Sequence, residues 1–206
     1  MNLRIIECEQ GSDAWHTARA GIPTASEFAT VLASGRGGGE SVTRRKYMLT
    51  LLGERLTGKV ADGYSNGHME RGHQMEPDAR RFYAFSRDVE PQQVGFMVRD
   101  DVGAGASPDS LVGDRGLLEI KTKLPHLQLD VLLRDEVPSE HSLQLQGQLF
   151  ISGREFVDFV SYWPGLPLFV KRVYREEPLI ARIRIALDEF NAELASLQER
   201  IGRIAA

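Results

Sequence analysis

An α/β domain is the architecture this sequence predicts, on three observations. Leu117-Leu118-Glu119-Ile120-Lys121-Thr122 is an apolar run of strand length, preceded by a second short strand at Ser110-Leu111-Val112. Ile183, Leu187, Phe190, Leu194, Leu197 and Ile201 recur at helical spacing, so a long closing helix is expected from Leu179 onward. The chain of 206 residues can fill one such core and is short for two, so residues 1–206 are read as a single domain.

The remaining elements follow in order. An N-terminal strand leads to Thr24, which with Glu27 makes a Thr-x-x-Glu capping box ahead of the stripe Phe28, Val31 and Leu32. A helix is expected from Thr43 to Leu56 with Tyr47, Leu51 and Leu52 inward, then a turn through Gly58 and Asp62-Gly63. Another helix is expected from Gly67 to Phe85, with Pro77 inside it able to kink it. Beyond the hairpin, Pro125 to Arg134 reads as helix or loop, and Pro138 begins a helix through Ile151. Glu155–Trp163 and Leu168–Tyr174 read as strands joined by Pro164-Gly165-Leu166-Pro167.

Composition excludes several classes. Hydrophobic residues at 42% and charged residues at 26% are ordinary globular usage, and no apolar run reaches the length of a bilayer span. The N-terminus has an acidic residue and no long apolar segment, so a secretory signal is not expected. Cys8 is the single cysteine, which rules out an internal disulfide or a cysteine-rich metal site and fits a reducing cytoplasm. A net charge of −4 argues against indiscriminate coating of nucleic acid. Local basic groups at Arg36, Arg44-Arg45-Lys46, Arg80-Arg81 and Lys121-Lys123 leave room for a cationic groove or for solvated faces. The glycine-rich stretch Ser34 to Gly39 lacks the Gly-Lys-Ser/Thr ending of a phosphate loop.

The chemistry concentrates in Ser107-Pro108-Asp109 and Leu118-Glu119-Ile120-Lys121, a PD…(D/E)xK pattern. On a strand, Glu119 and Lys121 point the same way. If the turn Gly113-Asp114-Arg115 pairs Val112 with Gly116, Asp109 falls opposite Glu119 on that face; a slip of one residue would put it on the other. Two carboxylates converging there repel unless a cation lies between them, and oxygen ligands without thiolate or imidazole favour Mg2+ or Mn2+. Asp109, Glu119 and the Ile120 carbonyl are the expected ligands, with a second ion possible about 4 Å away. Lys121 would orient or help deprotonate the attacking water. The competing reading is a Glu–Lys pair on an exposed strand.

Three further places carry alternatives. Ser26 at the first helical turn, with Arg19 nearby, makes either a phosphate pocket or a plain capped helix. Glu76 is either a third carboxylate of the metal centre or an i,i+4 partner of Arg80. Gln144 and Gln148, one turn apart on a core-packing helix, are either solvated or aimed at the metal-site water or a phosphate.

Read in order, Gln10-Gly11-Ser12-Asp13-Ala14-Trp15-His16, Arg19-x-Gly21-Ile22-x-Thr24-Ala25-Ser26, Gln74-Met75-Glu76-x-Asp78-Ala79-Arg80, Ser107-Pro108-Asp109, Leu118-Glu119-Ile120-Lys121 and Gln144-x-Gln146 resemble the lambda exonuclease family of phage recombination nucleases, also called YqaJ-like. The resemblance implies a restriction-endonuclease-like PD-(D/E)xK core with a central mixed sheet flanked by helices. It also implies a magnesium-dependent 5′-to-3′ exonuclease on linear double-stranded DNA, releasing mononucleotides, leaving 3′ single-stranded tails for an annealing protein and assembling as a homotrimer. Asp109 and Glu119 would be metal ligands, Lys121 the water-positioning base, Glu76 a supporting carboxylate and Gln144 a glutamine near the active centre. Arg19, Ser26 and Ser107 would hold the 5′-phosphate, and Met69 would be an apolar wedge at the terminal base pair. Thr122-Lys123 and His141 depart from the family pattern. An endonuclease of the same superfamily and a DNA-end-binding protein with an inactive site are the alternatives.

Overall fold

A computed structural model describes the backbone of residues 2–35, 37, 39, 41–60 and 67–204, apart from the side chains of residues 67–70 and 73. The wedge assigned to Met69, the cation at Arg36 and the turn at Asp62-Gly63 lie outside the described residues. The elements run β1 (Leu3–Ile6), α1 (Asp13–Arg19), α2 (Phe28–Val31), α3 (Val42–Thr57), α4 (Gly67–Arg87), β2 (Phe96–Arg99), β3 (Ala104–Ala106), β4 (Ser110–Val112), β5 (Gly116–Thr122), α5 (Pro125–Arg134), α6 (Ser142–Ser152), β6 (Phe156–Tyr162), β7 (Phe169–Tyr174) and α7 (Glu177–Ile204).

The expected mixed sheet is the four-stranded one, in the order β4-β5-β6-β7. Its two inner strands are parallel, with Glu119 beside Phe159 and Lys121 beside Ser161. A parallel pair needs a long crossover, and α5 and α6 supply it. Because helices then cover both faces, β5 reads as a nearly continuous apolar run. Leu118, Ile120, Val160 and Tyr162 pack with Ala79 and Tyr83 of α4 on one face. Leu117, Val157 and Phe159 pack with Val131 of α5 and Leu145 and Leu149 of α6 on the other.

A second, three-stranded sheet in the order β1-β2-β3 was not foreseen beyond its first strand. The Ala-Gly-Ala of β3 has little intrinsic strand preference. Tertiary packing makes it a strand: a Cβ on Gly105 would come within 2.1 Å of the Phe96 ring, so the absence of a side chain lets β2 and β3 close together. This sheet, α2, α3, α6 and α7 enclose the largest core cluster, around Phe28, Met48, Ile151, Ile183, Leu187 and Phe190.

Several local expectations need correction. Thr24 precedes a 3-10 turn, Ala25–Glu27, without a side-chain cap, and α2 adds one short turn. The capping box fails because the Thr24 hydroxyl accepts from Arg19 and meets Ser26, while Glu27 accepts from Thr30. Residues 125–134 are helix, with Pro125 at its first turn, where the missing N–H costs nothing. Pro77 lies within α4 without ending it. Ile201 is 42% exposed, because α7 outruns the core it covers. Of the α6 glutamines, Gln146 at 0% and Gln148 at 1% exposure are buried rather than solvated, and Gln144 is half-buried.

Candidate active site

The hairpin decides the site. Val112 pairs with Gly116 and Ser110 with Leu118, so the loop holds three residues and Asp109 stands opposite Glu119 in the same register. Gly113 takes a φ of 53°, a left-handed conformation that a residue without Cβ adopts freely. The Asp109 N–H donates to the Leu118 carbonyl at 3.0 Å. Its side-chain Oδ2 accepts from the Ile120 N–H at 2.5 Å. The carboxylate is thus turned towards β5, and its other oxygen has no partner of this kind among the described residues.

Glu119 is 2% exposed and sits on the α6 face of the sheet. Its Oε1 accepts from Gln144 Nε2 at 2.6 Å and lies 2.7 Å from Lys121 Nζ. Its Oε2 accepts from Gln148 Nε2, also at 2.6 Å. The two amides reach it from one turn apart on α6. The Glu–Lys pair is therefore largely withdrawn from solvent, against the exposed-strand alternative.

Electrostatics follow from this enclosure. Burial, then the Glu119 and Glu76 carboxylates, push the Asp109 carboxyl well above its ordinary range, against the pull of Lys121 and the Ile120 N–H. Burial disfavours the Lys121 ammonium, but Glu119 and Asp109 outweigh it, so its pKa is raised. Lys121 is an ammonium at neutral pH, a donor suited to orienting a water. Of the two roles open in the sequence, orienting suits this charge state better than deprotonating.

Glu76 approaches from α4, which covers the opposite face of the sheet, and pairs with Arg80. Both readings of Glu76 hold in part: it is the i,i+4 partner of Arg80, and its charge is felt at Asp109 and Lys121. Arg80 also donates to Ser110 Oγ at 3.0 Å, tying α4 to β4. Asp109, Glu76 and Arg80 line a cleft of about 710 Å³ with Gln10, Ser12 and Val94.

A second group lies around Trp15. The Arg19 guanidinium stacks on the Trp15 ring, 3.9 Å from its centroid, and donates to Thr24 Oγ1 at 3.3 Å. Thr24 Oγ1 lies 3.2 Å from Ser26 Oγ, and Trp15 Nε1 donates to Ser107 Oγ at 2.9 Å. Arg19, Ser26 and Ser107, far apart in sequence, are thereby linked through Trp15 and Thr24. Burial lowers the Arg19 pKa, partly offset by Tyr47, Glu27 and Glu54. Tyr47, whose hydroxyl accepts from the Thr24 N–H, is pushed up to about 12 by burial.

Of the other basic groups, Arg44 is paired with Glu193 at 2.7 Å and Arg81 with Asp78. Lys123 Nζ lies 2.8 Å from His141 Nε2, and the His141 ring packs on Phe159 at 5.3 Å. Sequence reasoning left Gln148 open between solvent and the metal site, took Arg80 only as a partner for Glu76 or a basic group, and gave Trp15 no role. The spacing of Gln148 from Gln144, and of Trp15 from Arg19, was the available signal, since residues four apart share a helix face.

A divalent cation fits the donor set by its chemistry. Asp109 and Glu119 offer buried hard oxygens and the Ile120 carbonyl lies on the strand between Glu119 and Lys121, a set suited to Mg2+ or Mn2+. Burial and then the neighbouring carboxylates raise Asp109, and a cation bound there would offset that penalty. Among the described residues no three His, Cys, Asp or Glu side chains form a ready-made cage, so these two carboxylates would carry the binding.

The family model of the YqaJ-like viral recombinase domain matches residues 14–155. Among solved structures, the chain is similar to an alkaline exonuclease, LHK-Exo, from Laribacter hongkongensis, at 35% identity over 94% of this chain and 98% of that one, with a TM-score of 0.85. The same enzyme in complex with dAMP matches at 36% identity and a TM-score of 0.85 over 94% and 98% of the two chains. A phage-related exonuclease from Haemophilus somnus 129PT shares the fold, at 13% identity and a TM-score of 0.65 over 87% of this chain and 96% of that one. No curated protein matches the sequence.

Proposed function

Because the chain belongs to the YqaJ-like viral recombinase family, we propose that it is a phage-type DNA exonuclease, acting in the 5′-to-3′ direction on linear double-stranded DNA with Mg2+ or Mn2+. It would release 5′-mononucleotides and leave 3′ single-stranded tails for an annealing protein, and act as a homotrimer. The observation that carries the reading is the hairpin register, which sets Asp109 opposite Glu119 with Lys121 in salt-bridge contact.

Asp109, Glu119 and the Ile120 carbonyl would hold the ion or ions. When bound, a divalent cation supplies Lewis acidity, polarising the phosphodiester and acidifying the attacking water. The chain's own residues do the rest. Gln144 and Lys121 hold Glu119 Oε1 in place. The Lys121 ammonium donates to the water and keeps its lone pair directed at phosphorus. Arg19, Ser26 and Ser107 bind the terminal 5′-phosphate and so set which bond lies at the hairpin, converting binding energy into registration. Glu76 adds negative charge beside Asp109 and favours cation binding there.

The test is digestion of linear and covalently closed circular duplexes, each linear end carrying either a 5′-phosphate or a 5′-hydroxyl, in magnesium and in calcium. Expected are loss of linear DNA alone in magnesium, mononucleotide products and faster attack at 5′-phosphate ends. Cutting of the closed circle would identify an endonuclease instead, and absence of cleavage with retained end binding would identify a binding protein.

A further inference from the structure

Gln148 is 1% exposed in the middle of α6, and its carboxamide is only half satisfied. Nε2 donates to Glu119 Oε2 at 2.6 Å, while Oε1 is buried without a hydrogen-bond partner among the described residues. An orphaned amide oxygen in a core is costly, and native proteins retain one where a neighbouring functional group explains it. Here the neighbour is Glu119.

The two oxygens of Glu119 are not equivalent. Oε1 receives two donors, Gln144 Nε2 and Lys121 Nζ. Each carboxylate oxygen offers about two acceptor positions, so Oε1 is saturated. Oε2 receives Gln148 alone and has one position left. A carboxylate pinned at both oxygens cannot rotate to offer the other atom. The choice of ligand atom therefore belongs to Gln148 as much as to Glu119.

Resting on the metal-dependent reading above, we infer that Gln148 is a positioning residue: its amide fixes Glu119 so that Oε2 receives the divalent cation. Gln144 is left with a separate task, steadying Glu119 Oε1 against Lys121. Groups in the shell around a ligand orient it, and their loss weakens metal affinity by roughly 10- to 100-fold.

The experiment is Mn2+ titration of the full chain by isothermal calorimetry, with the thermal melt followed by circular dichroism in metal-free buffer. Gln148→Met keeps length and flexibility but removes both polar atoms. The expected result is a roughly 10- to 100-fold rise in the Mn2+ dissociation constant, together with a lower metal-free melt because Glu119 Oε2 loses its donor. A purely structural role would lower the melt and leave affinity unchanged. If Gln148→Met does not fold, Gln148→Asn decides: its amide falls one methylene short of Glu119, and an affinity within a factor of about two of the parent would overturn the inference. Tight Mn2+ binding by the parent and equally tight binding by the variants would refute the role of Gln148 while leaving the function intact. Failure of the parent to bind Mn2+ would remove both.

Discussion

Arg19 offers the sharpest test of how a DNA end would be gripped. Its guanidinium is stacked on Trp15 at 3.9 Å and donates once, to Thr24 Oγ1. Arginine carries five N–H donors, so among the described residues most of that fork remains available to an anion. A charge-assisted hydrogen bond is worth about 1.5–3 kcal/mol, and each 1.4 kcal/mol is tenfold, so Arg19→Ala should lower kcat/KM on 5′-phosphorylated duplex by roughly 10- to 140-fold. On a 5′-hydroxyl duplex, which lacks the anion, the rate should be unchanged. Arg19→Lys should fall between, because the charge survives while the stacked planar fork does not. The assay is single-turnover release from a duplex labelled near one terminus, run on both end chemistries. Equal slowing of the two substrates would show that Arg19 acts through folding or general DNA affinity and would refute the phosphate grip.

Lys121→Met should slow cleavage by about 10²- to 10³-fold, the range for loss of one positioned donor, while DNA binding measured by gel shift persists. Glu119 keeps both α6 amides in that variant but loses its counter-ion, so the metal-free melting temperature should fall. His141, held down to about 4 from 6.5 by burial and then by Lys123 and Lys121, predicts acid sensitivity. Between those values the unfolded chain holds the imidazole's proton and the folded chain does not, so stability is lost as pH falls through this window. The loss should be about 2 kcal/mol by pH 5, and His141→Gln, which still accepts from Lys123, should remove it in urea titrations at pH 7 and pH 5. Gly147→Ala would place a Cβ 2.5 Å from Phe28 Cδ2 and 3.1 Å from Ala25 Cβ. Overpacking of about 1–3 kcal/mol should exceed the helix-propensity gain of at most about 1 kcal/mol, lowering the melt without changing turnover per folded molecule.

What could be read from the sequence was what repeats or alternates. The β4–β5 register, the α3 and α7 stripes and the β6–β7 pair all follow from periodicity that burial enforces. The strand at Ala104–Ala106 was illegible because its residues have no strand preference of their own and depend on the Phe96 ring beside Gly105. The Thr24 capping box was legible and absent, since the hydroxyl is drawn to Arg19 and Ser26 by folding that brings α1 alongside. For Glu76 the sequence offered an ion pair or a metal carboxylate, and the fold gives the first while leaving the charge close enough to act in the second. Gln148 stayed open between solvent and the metal site because a glutamine's purpose depends on which atom it faces, and spacing gives only the face.

Glu119 and Lys121 ride on a strand enclosed on both edges and both faces, whereas Arg19 ends a helix of seven residues and Ser26 sits in a three-residue turn. Amide exchange at the first pair should approach the rate of whole-molecule opening, and at the second it should be far quicker. On the proposed function, whatever seizes a polymer end could then adjust to each newly exposed terminus, while Glu119 and Lys121 could not drift unless the entire fold dissolved.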